Sequence, residues 1–146
     1  MSAERRAYLD TSALAKWYLN EQGSESFVVF LQDLDVAVIS SLTVTEMRSL
    51  FSRRRRMGDL SVELENQLFA AFLEDIDRGW LQRYALDDAR FSEATNLIAR
   101  HPEQPLRSLD ALHLTVAAHA GIAMLATADA VMAAAGLNMG FEVTRF

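Results

Sequence analysis

The sequence has no cysteine, and this absence excludes two classes of site. Disulfide bonds cannot form, and a zinc site built on thiolates cannot form either. A lack of cysteine suits a reducing compartment, so we expect a cytoplasmic protein. The chain also has no glycine-rich loop after its first predicted strand, which argues against a nucleotide-binding module.

The sequence contains no apolar run long enough to cross a membrane. Its most apolar stretch, residues 122–136, is interrupted by Thr127 and Asp129 and falls short of the about 20 residues that a spanning helix needs. No apolar signal-peptide segment follows Arg5 and Arg6. We therefore expect no membrane association.

An excess of basic residues is also missing, since the net charge is -6. This balance argues mildly against simple binding of DNA or RNA, which usually requires a basic surface. A group of acids that holds a cation would account for part of the negative excess. With 146 residues and 51% hydrophobic content, the chain is expected to form a single globular domain over residues 1–146.

Short apolar segments alternate with helical patterns along the chain. This alternation predicts a three-layer α/β/α domain with a central, mainly parallel sheet of about five strands. Gly121 and Gly136 are expected to end helices. The predicted strands are residues 5–10, 36–39, 81–86, 123–126 and 141–146.

Four acids lie at predicted strand-to-helix transitions or in the first turns of helices, and each has a structural explanation. Asp10 follows the first strand, where it could accept backbone N–H groups, although Thr11 or Ser12 could cap that helix instead. Glu46 fits a capping box with Thr43. The remaining two acids, Asp110 and Asp129, could be favoured by a helix N-terminus or serve as an N-cap.

Taken together, these acids indicate more than four separate caps. In a parallel sheet the loops that follow successive strands share one edge, so Asp10, Glu46 and Asp129 are expected on one rim, with Asp110 on the helix that leads to the fourth strand. Two carboxylates at about 4 Å repel by about 4 kcal/mol at a surface-like dielectric. A hard divalent cation removes that cost, and an all-oxygen site selects Mg²⁺, with Mn²⁺ able to substitute.

Four segments resemble motifs of the PIN-domain ribonucleases, in the order and with the spacing of that family. The resemblance is strongest to the VapC-type toxins of type II toxin–antitoxin systems and covers the whole chain. The segments are Tyr8–Leu14, Ser41–Glu46, Leu109–Leu114 and Leu125–Asp129.

This resemblance implies a Mg²⁺-dependent endoribonuclease that hydrolyses RNA phosphodiester bonds, with a cognate antitoxin as its partner. It implies catalytic and metal-binding roles for the four acids, and supporting roles for the hydroxyls of Ser12 and Thr127. A homodimer is also expected. The first alternative is a PIN-fold nuclease of RNA processing or DNA repair that has no antitoxin. A flavodoxin-like binding module and a phosphatase with Asp10 as nucleophile are further alternatives.

Three other features have both a functional and a structural interpretation. The four consecutive arginines Arg53, Arg54, Arg55 and Arg56 are candidate contacts for RNA or antitoxin, or a solvated helix end. His113 is expected to be a packed helix residue rather than a metal ligand. Aromatic side chains of the first two predicted helices are either core residues or an antitoxin groove, and they are Trp17, Tyr18, Phe27 and Phe30.

Overall fold

The computed structural model describes residues 3–146. Every strand of the sheet is only four or five residues long. The strands are β1 (Arg6–Leu9), β2 (Val36–Ser40), β3 (Leu81–Tyr84), β4 (Met124–Thr127) and β5 (Glu142–Arg145). The helices are α1 (Thr11–Tyr18), α2 (Ser24–Gln32), α3 (Ser41–Arg56), α4 (Val62–Asp77), α5 (Asp88–Arg100), α6 (Ser108–His119) and α7 (Ala130–Asn138).

The five strands form one parallel sheet in the order β3-β2-β1-β4-β5. Tyr8 of the central strand pairs with Val38 on one side and with Leu125 on the other. From β1 the chain moves outward to β2 and β3, and it then returns to place β4 on the other side of β1. The sheet therefore has its topological switch point between β1 and β4, where ligands bind in open α/β sheets.

Helices cover both faces of the sheet, because successive strand residues point to opposite sides. Ala7 and Leu9 are buried against one hydrophobic cluster, to which α1, α2, α3 and α4 contribute. Tyr8, between them in the sequence, is buried in a second cluster with α5, α6 and α7. The predicted three-layer α/β/α architecture with a five-stranded parallel sheet is confirmed.

The structure decides between the two predicted caps of α1 and corrects the predicted end of α7. Asp10, not Thr11 or Ser12, caps α1 by accepting from the backbone N–H of Ala13. Gly136 does not end α7, which continues to Asn138. Gly136 lies where the helix approaches the sheet, and a Cβ there would come 2.7 Å from Leu125 Cδ2.

The capping box at the start of α3 also differs from the predicted one. Ser40 is the N-cap, and Thr43 is the third helical residue that bonds back to it. Glu46 therefore takes no part in capping, and its carboxylate is available for other contacts. None of the helices in the part of the chain described here is long and apolar enough to cross a bilayer.

Candidate functional site

The four predicted acids lie around the carboxyl edge of the sheet. Asp10 directly follows β1, Asp129 follows β4 by two residues, and Glu46 lies in the second turn of the helix after β2. Asp110 lies in the first turn of α6, whose His113 contacts Glu46. Asp10 and Asp129 thus flank the switch point between β1 and β4. Glu46 bonds to Thr11, the neighbour of Asp10, and Asp110 interacts with the charge of Asp129.

Asp10 is the most enclosed of the four, with only 4% of its surface exposed. Its Oδ1 accepts hydrogen bonds from Ser12 Oγ at 2.7 Å and from the Ala13 backbone N–H at 3.0 Å. Its Oδ2 accepts from Thr127 Oγ1 at 2.5 Å. Burial raises the pKa of Asp10 above its ordinary value, although these hydrogen bonds oppose the shift. Asp10 therefore joins β1 to β4 across the switch point.

The two predicted supporting hydroxyls both bond to Asp10 and also shape the turn after β4. Ser12 Oγ accepts from the backbone N–H of Ala128 at 2.9 Å. Thr127 Oγ1 accepts from the backbone N–H of Asp129 at 3.0 Å. Each hydroxyl thus donates to the carboxylate of Asp10 and accepts from a backbone N–H in the segment that carries Asp129. Because these bonds run from β1 and α1 to the turn after β4, they fix the spacing between Asp10 and Asp129.

Glu46 is held by two donors on the same oxygen. Its Oε1 accepts from Thr11 Oγ1 at 2.9 Å and is also hydrogen-bonded to Nε2 of His113. Burial alone would raise the pKa of Glu46, but the hydrogen bond and charge interaction with His113, together with the bond from Thr11, bring it below its ordinary value. Among the described residues, no group donates to Oε2 of Glu46, so that oxygen is available to a ligand.

His113 is the site residue that sequence reasoning missed. It is packed, as predicted, with 3% of its surface exposed, but both of its ring nitrogens have partners. Nδ1 lies 2.6 Å from the hydroxyl of Tyr8, which in turn lies 3.0 Å from Ser40 Oγ. The sequence contained one signal for this role: His113 lies three residues after Asp110, and residues at that spacing share one side of a helix.

Asp110 and Asp129 both make the local backbone contacts that their structural explanations predict. Asp110 Oδ2 accepts from the Arg107 N–H at 3.3 Å, and Asp129 Oδ1 accepts from the Val131 N–H at 2.8 Å. Burial raises the pKa of Asp110, the bond from Arg107 opposes the shift, and the negative charge of Asp129 raises it further. Capping does not exclude a second role, because each carboxylate keeps one oxygen outside these bonds.

The chemistry of these donors fits a hard divalent cation, although the side chains are not gathered into a finished cage. Within residues 3–146, no group of three or more acidic or histidine side chains is arranged so that it could hold an ion. The side chains at the rim offer carboxylate and hydroxyl oxygens, which Mg²⁺ prefers. A cation beside Asp110 and Asp129 would also relieve the repulsion between these two carboxylates.

The four arginines form the last turn of α3, about 10–15 Å along the helix axis from Glu46. Arg54 bonds to Glu21 at 2.6 Å, and Arg55 bonds to Glu65 at 2.5 Å, so both are paired within the protein. Arg53 and Arg56 are exposed. The structure therefore separates this cluster into two internal ion pairs and two solvent-facing side chains.

The four predicted groove aromatics occupy different environments. Trp17 is 40% exposed and lines, with Tyr18 and Trp80, a cavity of about 530 Å³. This cavity lies at the amino ends of β2 and β3, opposite the acidic rim, because Leu81 begins β3. Phe27 is fully buried, and it packs with Phe30 against the ring of Phe146, so Phe27 belongs to the core.

Solved structures from several bacteria share this fold. VapC20 of Mycobacterium tuberculosis, a toxin that cleaves the sarcin–ricin loop, has a TM-score of 0.74 at 19% identity over 96% of this chain and 99% of that chain. FitAcB of Neisseria gonorrhoeae has a TM-score of 0.67 at 17% identity, over 95% and 96% of the two chains. VapBC2 of Rickettsia felis, bound to a promoter DNA fragment, has a TM-score of 0.66 at 12% identity, over 97% and 98%.

Among curated proteins, none matches this sequence. A family model does match, and it is the model of the PIN domain, over residues 7–137. The matched range begins in β1 and ends in α7, so it includes all four carboxylates of the rim. The family resemblance carried by the four sequence segments is thereby confirmed, and the chain belongs to the PIN domain family.

Proposed function

We propose that this protein is a Mg²⁺-dependent endoribonuclease and the toxin of a toxin–antitoxin pair. The observation that carries the proposal is the position of Asp10, Glu46, Asp110 and Asp129 along the carboxyl edge of the sheet in a PIN domain. An acidic rim repels the phosphates of RNA unless a cation intervenes, so these carboxylates imply a metal in the active complex. The donors are all oxygens, which favours Mg²⁺ and allows Mn²⁺.

Each acid has a role that follows from its surroundings. Asp10 and Asp110 would be the main ligands of the ion, partly through water, and Ser12, Ala13 and Thr127 hold Asp10 in place. Glu46 and Asp129 each have one carboxylate oxygen that forms no hydrogen bond with residues 3–146, and they would complete the site or orient the attacking water. When bound, the ion supplies Lewis-acid stabilisation of the phosphodiester and activates water. Hydrolysis that releases the 3′ oxygen would leave a 5′-phosphate and a 3′-hydroxyl.

The toxin part of the proposal is supported by the kind of structures that share this fold. Among them are VapBC complexes and FitAcB, which is similar over 95% of this chain. An antitoxin needs an accessible apolar surface, and the cavity beside Trp17 and Trp80 provides one. The expected homodimer and the contacts of Arg53 and Arg56 with RNA or antitoxin remain predictions.

Cleavage assays test the proposed nuclease activity. The purified protein is incubated with total bacterial RNA and, separately, with a sarcin–ricin-loop oligonucleotide. Cleavage should require Mg²⁺ or Mn²⁺, stop in excess EDTA and fall by at least about 100-fold in Asp10→Asn. Asp77→Asn is the matched control, because Asp77 is exposed at the end of α4. Full activity in EDTA, or in Asp10→Asn, would contradict the metal mechanism. Cleavage without growth arrest on expression would favour a processing or repair nuclease.

A further inference from the structure

His113 is buried, and it contacts Glu46, which lies in the second turn of α3. We propose that His113 is a positioning residue for Glu46, held in its orientation by Tyr8. The inference rests on the proposed function, because it gives His113 a role in the same site. It concerns how Glu46 is oriented and assigns His113 no contact with substrate or metal.

The direction of the hydrogen bond follows from the chemistry of the partners. An ionised carboxylate can only accept hydrogen bonds, and a glutamate side chain is ordinarily ionised at neutral pH. Nε2 of His113 must therefore carry the proton and donate it to Oε1. This holds whether the ring carries one proton or two, since the proton on Nε2 is required in both cases.

Tyr8 fixes which edge of the ring faces Glu46. Its hydroxyl lies 2.6 Å from Nδ1, and burial raises the pKa of that hydroxyl, so it remains protonated. A ring rotation would remove the partners of both nitrogens inside a site where only 3% of His113 is exposed. The ring thus bonds through Nδ1 to Tyr8 of β1 and through Nε2 to Glu46 at the carboxyl edge of the sheet.

The consequence for Glu46 is a fixed side chain with one free oxygen. Glutamate has more rotatable bonds than aspartate and loses more freedom when it is ordered. Thr11 and His113 both donate to Oε1, so the carboxylate is anchored from two elements while Oε2 stays available. Loss of such a supporting partner typically lowers activity by about 10- to 100-fold.

Nitrogen NMR tests the contact without depending on activity. The chain has three histidines, and the ¹⁵N ring signals of His113 are identified by their loss in His113→Gln. We expect a protonated Nε2 in the wild-type protein, with a signal that shifts in Glu46→Gln. An unprotonated Nε2, or a signal that Glu46→Gln leaves unchanged, would overturn the inference.

Steady-state cleavage of total bacterial RNA tests the positioning. His113→Leu removes the donor and should lower kcat by about 10- to 100-fold with little change in KM, whereas His113→Gln retains a donor at the Nε2 position and should recover much of the loss. His119→Leu is the matched control, because His119 is exposed at the end of the same helix. Wild-type kcat in a folded His113→Leu protein would overturn the proposal.

Two further comparisons keep the test decisive. If His113→Leu does not fold, Tyr8→Phe takes its place, since it keeps the ring and removes only the hydroxyl that orients His113. Its kcat should fall by a smaller factor than in His113→Leu, and an unchanged kcat would refute the role of Tyr8 in the proposal. A wild-type protein that cuts no RNA refutes the proposed function instead, and the nitrogen spectrum then decides the contact by itself.

Discussion

Removal of the charge on Glu46 should destabilise the metal-free protein. This expectation opposes the one from the sequence, where the crowded carboxylates are predicted to repel one another and so to reduce stability. The structure reverses the sign because Glu46 accepts from His113 and Thr11, and these contacts hold its pKa below the ordinary value. The charged form is therefore the one that the folded state favours.

The size of the effect follows from the two hydrogen bonds. A bond to a charged group contributes about 1 kcal/mol more than a bond between neutral groups, so two bonds could contribute about 2 kcal/mol. The Glu46 side chain is 23% exposed, and both solvent screening and the cost of burying its charge reduce this value. We expect a net loss of about 1 kcal/mol, which corresponds to a Tm lower by about 2–4 °C for a domain of this size.

Thermal melts followed by circular dichroism in EDTA at pH 7 measure the change. Glu103→Gln, at an exposed loop position, is the matched control and should shift stability by less than about 0.5 kcal/mol. Because the pKa of Glu46 is lowered from 4.5, its contribution is present above that pH and disappears as the pH falls below it. A Glu46→Gln protein that melts at or above the wild-type temperature at pH 7 would refute this reasoning.

Three further predictions concern other parts of the protein. Asp110→Asn should raise the Tm in EDTA at pH 7 but not below pH 3.8, because the raised pKa of Asp110 means that the folded state loses stability as the pH rises and the acid ionises. Excess Mg²⁺ should stabilise only the wild type, and thermal melts across pH with and without Mg²⁺ check both points. Gly136→Ala should destabilise the protein by about 1 kcal/mol in urea unfolding, because the new Cβ would lie 2.7 Å from buried Leu125, and equal midpoints would contradict this. Expression of the wild type should arrest bacterial growth, whereas expression of Asp10→Asn should not. Co-expression of the adjacent small gene product should restore growth, and normal growth with soluble wild-type protein would count against a toxin.

The sequence by itself determined the architecture, because hydrophobic periodicity is a local property. Alternating apolar segments and helical stripes predicted five strands and a parallel sheet, and the structure has both. Parallel geometry then placed the residues after β1 and β4 at one edge without knowledge of any contact. The location of Asp10, Glu46 and Asp129 on that edge follows from this rule.

Only the tertiary structure decided which partner each acid has. The motif Thr43-Val44-Thr45-Glu46 fits a capping box equally well in isolation, and the choice of Ser40 as N-cap depends on where β2 ends. Similarly, the sequence placed Gly136 at a helix end, whereas its close approach to Leu125 and Val143 across the helix–sheet interface favours glycine inside α7.

The contact between Glu46 and His113 could not be predicted from either segment, because 67 residues separate them along the chain. Its formation requires α3 and α6, which cover opposite faces of the sheet, to meet at the carboxyl edge. Tyr8 belongs to the same contact only because β1 lies between β2, which leads into α3, and β4, which follows α6. Residue type and spacing select candidate acids, but long-range packing sets their charge state and orientation.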